Sequence, residues 1–303
     1  MPAPVAVFAF NRPHHLHQTL TTLAQNEGAE TTTVTIYCDG PRHEQDHSNI
    51  EAVRAIAHGG NGFAQVQVVE REANCGLARS IIMGVTEQLR QHEQVIVVED
   101  DLVTSPFFLR YMNQALEVYA ECDRVISIHG YIYPIDTPLP ETFFLRGADC
   151  WGWATWRRGW ALFNPDGQAL LTELERQQLL LAFDLEGAYP FSQMLRDQIA
   201  GRNNSWAIRW HASAFLADRL TLYPGRSLVH NIGHDDSGTH SQRTGTYDVV
   251  VSPTPIRVEA IAPVPCAAAR AAVKQYLGLG QCCPSPVTRV LSQVKKLFYS
   301  APF

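Results

Sequence analysis

The chain has 303 residues, 46% hydrophobic and 18% charged, with a formal net charge of −6. That length supports one large domain or two lobes; no run approaches the roughly 20 apolar residues of a membrane span, and an acidic body is a poor partner for nucleic acid. The charge is uneven: from Thr254 onward six Lys/Arg accompany one acid, Glu259, so the tail carries +5 and the remainder −11. Seven cysteines, an odd number without CxxC spacing, predict reduced thiols in a cytoplasmic protein rather than a disulfide framework or a zinc site. The first residues, Met1-Pro2-Ala3-Pro4-Val5, lead straight into a strand pattern without a basic or long apolar leader, so no signal peptide is expected.

Val5 to Phe10 reads as a buried strand broken by Asn11-Arg12-Pro13, after which Leu16, Leu20 and Leu23 give helical spacing. A second strand, Val34 to Cys38, ends in Asp39-Gly40-Pro41, and a helix follows around Asn49 to Ala57. Val66 to Val69 is a third strand; Asn74-Cys75-Gly76 makes a turn, and Leu77 to Arg90 reads as a helix. The fourth strand, Val95-Ile96-Val97-Val98, runs directly into Glu99-Asp100-Asp101. A helix from about Pro106 to Ala120 and a strand from Val125 to His129 complete the alternation. This pattern predicts an α/β fold: βαβ crossovers and a mostly parallel, Rossmann-like central sheet flanked by helices.

Arg12, Asp39, the segment from Asn74 to Arg79, and Glu99-Asp100-Asp101 each follow a predicted strand. In a parallel sheet those ends converge on one crevice, where open α/β sheets bind ligands. Three adjacent carboxylates are tolerable when a cation or hydrogen-bond donors sit among them, and Mg²⁺ or Mn²⁺ suits such oxygens and bridges them to phosphates. Alone, the acidic triplet could equally be a solvated turn before the helix near Ser105-Pro106. Likewise, Arg12 and Arg79 could be surface arginines, and Asp39-Gly40-Pro41 is first a turn signal. The repeated placement carries the expectation. Glycine-rich phosphate loops of the P-loop or GxGxxG type are absent.

After Tyr131, prolines at 134, 138 and 140 mark a loop, and four of the six tryptophans then fall within Trp151 to Trp160. Such rings either stack on sugars or fill a core. Ser205-Trp206-Ala207-Ile208-Arg209-Trp210 opens a helix with Asn204 as the expected N-cap. Short strands are predicted at Leu220 to Pro224 and Leu228 to Ile232. The polar segment from Gly233 to His240 reads as a loop closing over a ligand, with His234 a metal ligand, a phosphate donor or an ordinary surface histidine.

In their order, Phe10-Asn11-Arg12-Pro13, Cys38-Asp39-Gly40, Asn74-Cys75-Gly76-Leu77-Ala78-Arg79 and Val97-Val98-Glu99-Asp100-Asp101 resemble GT-A glycosyltransferases. They are most similar to bacterial sugar transferases related to N-acetylglucosaminyltransferase I. Trp151-Gly152-Trp153, the Ser205 segment and Gly233-His234-Asp235 extend the likeness to about residue 260. The resemblance implies a GT-A domain over residues 1–260, with a nucleotide-sugar half to 130 and an acceptor half beyond, and a helical tail over 261–303. It implies a nucleotide-sugar donor, most simply a UDP-sugar, bound with Mn²⁺ or Mg²⁺. Asp101 would ligand the metal, and Glu99 and Asp100 would contact sugar and ribose. Asp39 would bond the base, and Arg12, Arg79 and His234 would contact nucleotide or phosphate. Trp151, Trp153 and Trp206 would face a saccharide or lipid-linked acceptor. Relatives of this type invert the anomeric centre with a carboxylate as base, expected near the start of the Ser205 helix. This chain has Asn203 and Asn204 there, and a carboxamide is no base, so Asp197 and Asp149 are the candidates, with Asp235 a third.

The implied role is polysaccharide or glycolipid synthesis; the departure at Asn203-Asn204 also fits a catalytically inactive sugar- or nucleotide-binding subunit of the same fold. A sugar-nucleotide pyrophosphorylase would need a lysine-bearing glycine loop near the N-terminus, which is missing. In the tail, Ala267 to Leu277 reads as a helix, and Val287, Val290, Leu291, Val294, Leu297 and Phe298 share one helical face beside Arg289, Lys295 and Lys296. A basic amphipathic helix suits the inner face of an anionic membrane, giving peripheral contact, or packs on the domain or a second subunit.

Overall fold

A computed structural model describes residues 2–235 and 244–282 of the chain. The expected loop beyond Asp235 and the helix over 287–298 lie outside the described residues. The elements, in order, begin with β1 (Val5–Ala9), α1 (Pro13–Ala24), β2 (Thr33–Cys38), α2 (His47–His58), β3 (Gln65–Glu70) and α3 (Leu77–Gln91). They continue through β4 (Gln94–Glu99), β5 (Leu102–Thr104), α4 (Phe108–Val118), β6 (Val125–His129), β7 (Thr142–Arg146) and β8 (Trp153–Trp156). Short α5 (Arg157–Trp160), α6 (Gly167–Arg176), short α7 (Leu180–Phe183), α8 (Phe191–Ile199) and α9 (Trp206–Leu216) precede β9 (Leu220–Pro224), β10 (Val229–Asn231) and α10 (Ala267–Cys282).

Eight strands form one sheet in the order β3-β2-β1-β4-β8-β6-β9-β7. β1, β2, β3 and β4 pair in parallel, as the βαβ spacing requires. Beyond β4 the sheet becomes mixed: β8 runs antiparallel to both β4 and β6, and β7 antiparallel to β9. β1 is buried along its whole length, and Val95 to Val98 of β4 are buried too, because apolar clusters cover both faces of the sheet. One cluster takes Leu16, Leu20 and Leu23 from α1; the other takes Ile81, Val85 and Leu89 from α3. Pro13 starts α1 at its first position, where a missing N–H costs nothing. The sheet runs across residue 130, so the two sequence halves share one β-layer.

Three strands went unread in the sequence: β5, β7 and β8. Trp153 to Trp156 wedges between β4 and β6 in register Val97↔Trp153 and His129↔Trp153. Helices α6, α8 and α9 pack a separate cluster around Leu174, Leu195 and Phe215. The start of the tail is docked rather than loose. Pro265 bridges Phe144, and Ala269, Val273 and Leu277 of α10 are buried against Phe143 and Tyr223. No described helix is long and apolar enough to cross a membrane, and the described cysteines with assigned state, Cys38, Cys75, Cys122, Cys150 and Cys266, are free thiols.

Candidate active site

The parallel register places the ends of β1, β2 and β4 side by side, with Phe8 opposite Glu99 and Ala9 opposite Cys38. Two backbone bonds extend it: Asp39 N–H donates to Ala9 O at 2.9 Å, and Asp100 N–H to Phe8 O at 3.0 Å. The polar residues after these strands therefore line one crevice of 280 Å³, including Arg12, Asp39, Glu99, Asp100, Asp101 and His234. Arg12 is the cation among the acids. Its guanidinium hydrogen-bonds Asp100 and lies 2.9 Å from Asp101 Oδ2. Burial opposes charge on Arg12, yet the pull of Asp100 and Asp101 leaves its pKa raised. Burial pushes Asp100 up to about 6, Arg12 working against the rise and Asp101 adding to it. Glu99 is raised well above the usual carboxylate range, first by burial, then by Asp101 and Asp100. Burial thus disfavours the ionised forms of Glu99 and Asp100, and Arg12 and Arg42 are the cations that line the crevice with them.

Asp39 is nearly buried, at 4% exposure, and its oxygens are committed locally. They accept from Gly40 N–H at 3.0 Å, Cys75 N–H at 3.0 Å, Gly76 N–H at 2.9 Å and Asn74 Nδ2 at 3.0 Å. The expected bond from Asp39 to a base would compete with four donors already in place; here Asp39 anchors the loop that starts α3. Gly40 fits because a Cβ there would meet the Ala73 backbone at 2.5 Å. Arg79 is exposed on the first turn of α3 and does not line the crevice. Arg42, which the sequence analysis does not single out, does line it. The Arg42 guanidinium lies 4.7 Å above the Phe10 ring, and its Nε donates to Asn74 Oδ1 at 3.3 Å. An Arg directly after Asp39-Gly40-Pro41, on the same strand end, was the available signal.

After Asp101 the chain leaves the main sheet and pairs as β5 with β10, in register Leu102↔Asn231. Ile232 N–H donates to Asp101 O at 2.8 Å, and Gly233 N–H to Asn231 Oδ1 at 2.8 Å. The approach is so close that a Cβ on Gly233 would sit 2.2 Å from Asp101 Oδ2. His234 follows, edge-on to Trp151 at 5.4 Å, with Nε2 buried and without a hydrogen-bond partner among the described residues. Burial lowers its pKa, Asp101 opposing, so the ring is neutral near pH 7.

Trp151 and His234 also line a second, larger cavity of 790 Å³. Among its described lining residues Asp149 is the one carboxylate. Asp149 Oδ1 accepts from Cys150 N–H at 2.8 Å, Tyr223 OH lies 3.5 Å from Oδ2, and His129 Nε2 is 3.9 Å from Oδ1. His129 is fully buried, accepts Trp151 N–H at 3.1 Å on Nε2 and is held neutral by burial.

Four expectations are corrected here. Trp153 is fully buried and Trp206 is 4% exposed; with Trp160 and Trp210 they form a core cluster, Trp153 and Trp206 stacked at 5.4 Å. Neither faces a cavity, and of the three tryptophans only Trp151 does. Gly152 explains the split: its φ of +63° turns the chain between one ring aimed at the cavity and the next aimed at the core. Asp197 lies on α8, ion-paired to Arg202 at 2.5 Å and bonded to Gln193, which lowers its pKa, and it lines neither cavity. The N-cap of α9 is Ser205, which accepts Ile208 N–H, not Asn204; Asn203 Oδ1 accepts Ser205 N–H at 3.0 Å. The two asparagines build a helix entry outside both cavities. Asp235, the third candidate, is 3.2 Å from His15 Nε2.

Among the described residues no group of three or more His, Cys, Asp or Glu is arranged to hold a metal. Mg²⁺ and Mn²⁺ commonly bind through one or two carboxylates, with ligand phosphates and water completing the shell. Asp101, the more accessible of the Arg12-paired acids, fits that mode.

Fold and crevice together define an α/β protein with a central eight-stranded sheet and an acidic, arginine-bearing crevice at the carboxyl edge of its parallel half. No family model matches the chain. Solved structures similar to it include S. aureus TarS, at 18% identity over 49% of this chain and 25% of that one, TM-score 0.32. Another is glucosyl-3-phosphoglycerate synthase from Mycobacterium tuberculosis in complex with Mn²⁺, UDP and glucosyl-3-phosphoglycerate, at 10% identity over 57% and 66%, TM-score 0.34. A third is mannose-1-phosphate geranyltransferase from Thermus thermophilus, at 12% identity over 74% of each chain, TM-score 0.34. The chain spans a quarter of the TarS structure and half of its 1–349 fragment.

Proposed function

We propose that the protein is a glycosyltransferase that moves a sugar from a nucleotide-sugar donor, a UDP-sugar most simply, to an acceptor hydroxyl. The observation that carries this reading is the pairing of cavities. A small acidic crevice with arginines meets a larger cavity across the shared wall of Trp151 and His234. A donor in the first and an acceptor in the second would bring anomeric carbon and hydroxyl together at that wall. Arg12 and Arg42 would bind the nucleotide's phosphates, and Glu99 and Asp100 would accept hydrogen bonds from sugar hydroxyls. A divalent cation held at Asp101 would supply neutralisation of the charge that develops on the diphosphate.

Asp149 is the base in this reading, because among the described residues it is the one carboxylate lining the larger cavity, two positions before Trp151. It would take the proton as the acceptor oxygen bonds to the anomeric carbon and the bond to phosphate breaks, its electron pair leaving with the diphosphate. A single displacement of this kind inverts the anomeric centre. The alternative, a catalytically inactive nucleotide-sugar-binding subunit of the same fold, differs in showing donor binding without turnover; Asn203 and Asn204 line neither cavity. The test is a thermal-shift screen of nucleotide diphosphates with and without Mn²⁺: a bound donor raises stability as RT ln(1 + [L]/Kd). No shift from any nucleotide would sink the proposal.

A further inference from the structure

The larger cavity is mismatched to a bare saccharide. Its 790 Å³ is near the top of the ~300–1,000 Å³ typical of small-molecule sites, and most of its wall is apolar. Away from Trp151 it is lined by Leu145 of β7, Phe183 of α7, Met194 of α8, Phe215 of α9, and Val273 and Leu277 of α10. The charged groups there are already engaged. Arg270 pairs with Glu186 at 2.6 Å, and Arg146 donates to Phe215 O at 2.8 Å while its guanidinium covers the Phe215 ring at 4.1 Å. His211 is neutralised by burial and bonded to the Ala148 backbone. Polar groups gather around Asp149, where burial first and then its charge raise the pKa values of Tyr133 and Tyr223, and these rings pack with Val273 and Leu277; Phe183, Met194 and Phe215 belong to a separate, apolar cluster. Sugar hydroxyls placed at the apolar end would lose water without gaining partners, which is costly.

We propose that the acceptor is amphipathic: a hydrocarbon chain lies between α7, α8 and α9, and the hydroxyl-bearing head sits at Asp149, Trp151 and His234. The proposal rests on the donor assignment of the smaller crevice for its catalytic meaning, but the cavity's preference for a hydrocarbon chain is measurable without it.

The experiment is calorimetric titration of the full chain with n-hexyl to n-nonyl β-glucosides, below their micelle concentrations, in the absence of nucleotide. Affinity rises about fourfold per added methylene while the chain finds apolar wall. Met194→Trp, which intrudes on the cavity from α8, flattens that series; Ala182→Phe, from α7, does the same and covers the case in which the first variant misfolds. UDP with Mn²⁺ is titrated in parallel by thermal shift. A flat series in the wild-type chain overturns the proposal, as does a series left unchanged by both folded variants. A steep series with no UDP effect would instead sink the donor reading and leave this one standing.

Discussion

Arg12→Met tests whether the crevice is held together by charge. Methionine keeps much of the stem and deletes the guanidinium that joins Asp100 and Asp101. Breaking a buried ion pair by removing one partner costs about 3–5 kcal/mol. Asp100 has an escape, since it can take up a proton. With its pKa at about 6, protonation costs about 1.4 kcal/mol per pH unit above that value, hence about 2.7 kcal/mol at pH 8 and nothing near pH 5.5. The sign follows from linkage. A carboxylate whose folded pKa is raised contributes stability that is complete below its unfolded value of 3.8 and lost as pH climbs through about 6. Without Arg12 the rise grows, so the variant loses more stability than the wild type between pH 5.5 and 8. That escape caps the loss at about 2.7 kcal/mol at pH 8, which an unfolding entropy of roughly 2.1 cal/mol/K per residue converts into about 4 °C for a chain of this size. Differential scanning calorimetry should find that deficit at pH 8 and less than half of it at pH 5.5. A deficit equal at both pH values would refute the argument, because it would assign the loss to packing of the stem.

Asp101→Ala should remove the effect of Mn²⁺ on UDP binding and leave the melting temperature within a few degrees; identical UDP affinities with and without Mn²⁺ in the wild type, too, would exclude the metal assignment. Asp149→Asn should slow transfer by roughly 10²–10⁴-fold with donor affinity kept, whereas Asp197→Asn should change neither, and steady-state kinetics on the pair separates the two carboxylates. Gly233→Ala puts a methyl 2.2 Å from Asp101 Oδ2, so the Asp101 carboxylate or the backbone after β10 must shift; a misplacement near 1 Å costs about 10²-fold in transfer, and a variant with full activity would show that this contact is dispensable.

The parallel half of the fold was legible because its signals are local. Val5 to Phe10, Val34 to Cys38 and Val95 to Val98 are apolar runs of strand length, each ending in a polar or turn residue, and the alternation with helices dictates where those ends meet. Hence Arg12, Asp39 and the acidic triplet were found together. The antiparallel half was opaque for a different reason. Trp153, Trp156 and Trp206 have the same composition signal whether they line a sugar site or fill a core, and only the insertion of β8 between β4 and β6 decides it. Asp197 looked as eligible as Asp149 because which of the two lines a cavity is a tertiary fact; the local pairing of Asp197 with Arg202 only keeps it at the end of α8. Nor did the sequence distinguish Arg79 from Arg42: one turn of α3 carries the former outward, while the loop after Pro41 lays the latter on Phe10.

The apolar clusters are partitioned in a way that bears on how such a scaffold diversifies. Residues under the parallel sheet belong to two clusters, and the walls contributed by α7, α8 and α10 belong to two others. Reshaping the larger cavity therefore draws on the stability of local helix packing and leaves the β1–β2–β4 register, with its carboxylates and Arg12, undisturbed. A lineage, or a designer, can change which molecule is accepted there by substituting Met194, Leu185 or Leu277 one at a time, with no compensating change at the strand ends.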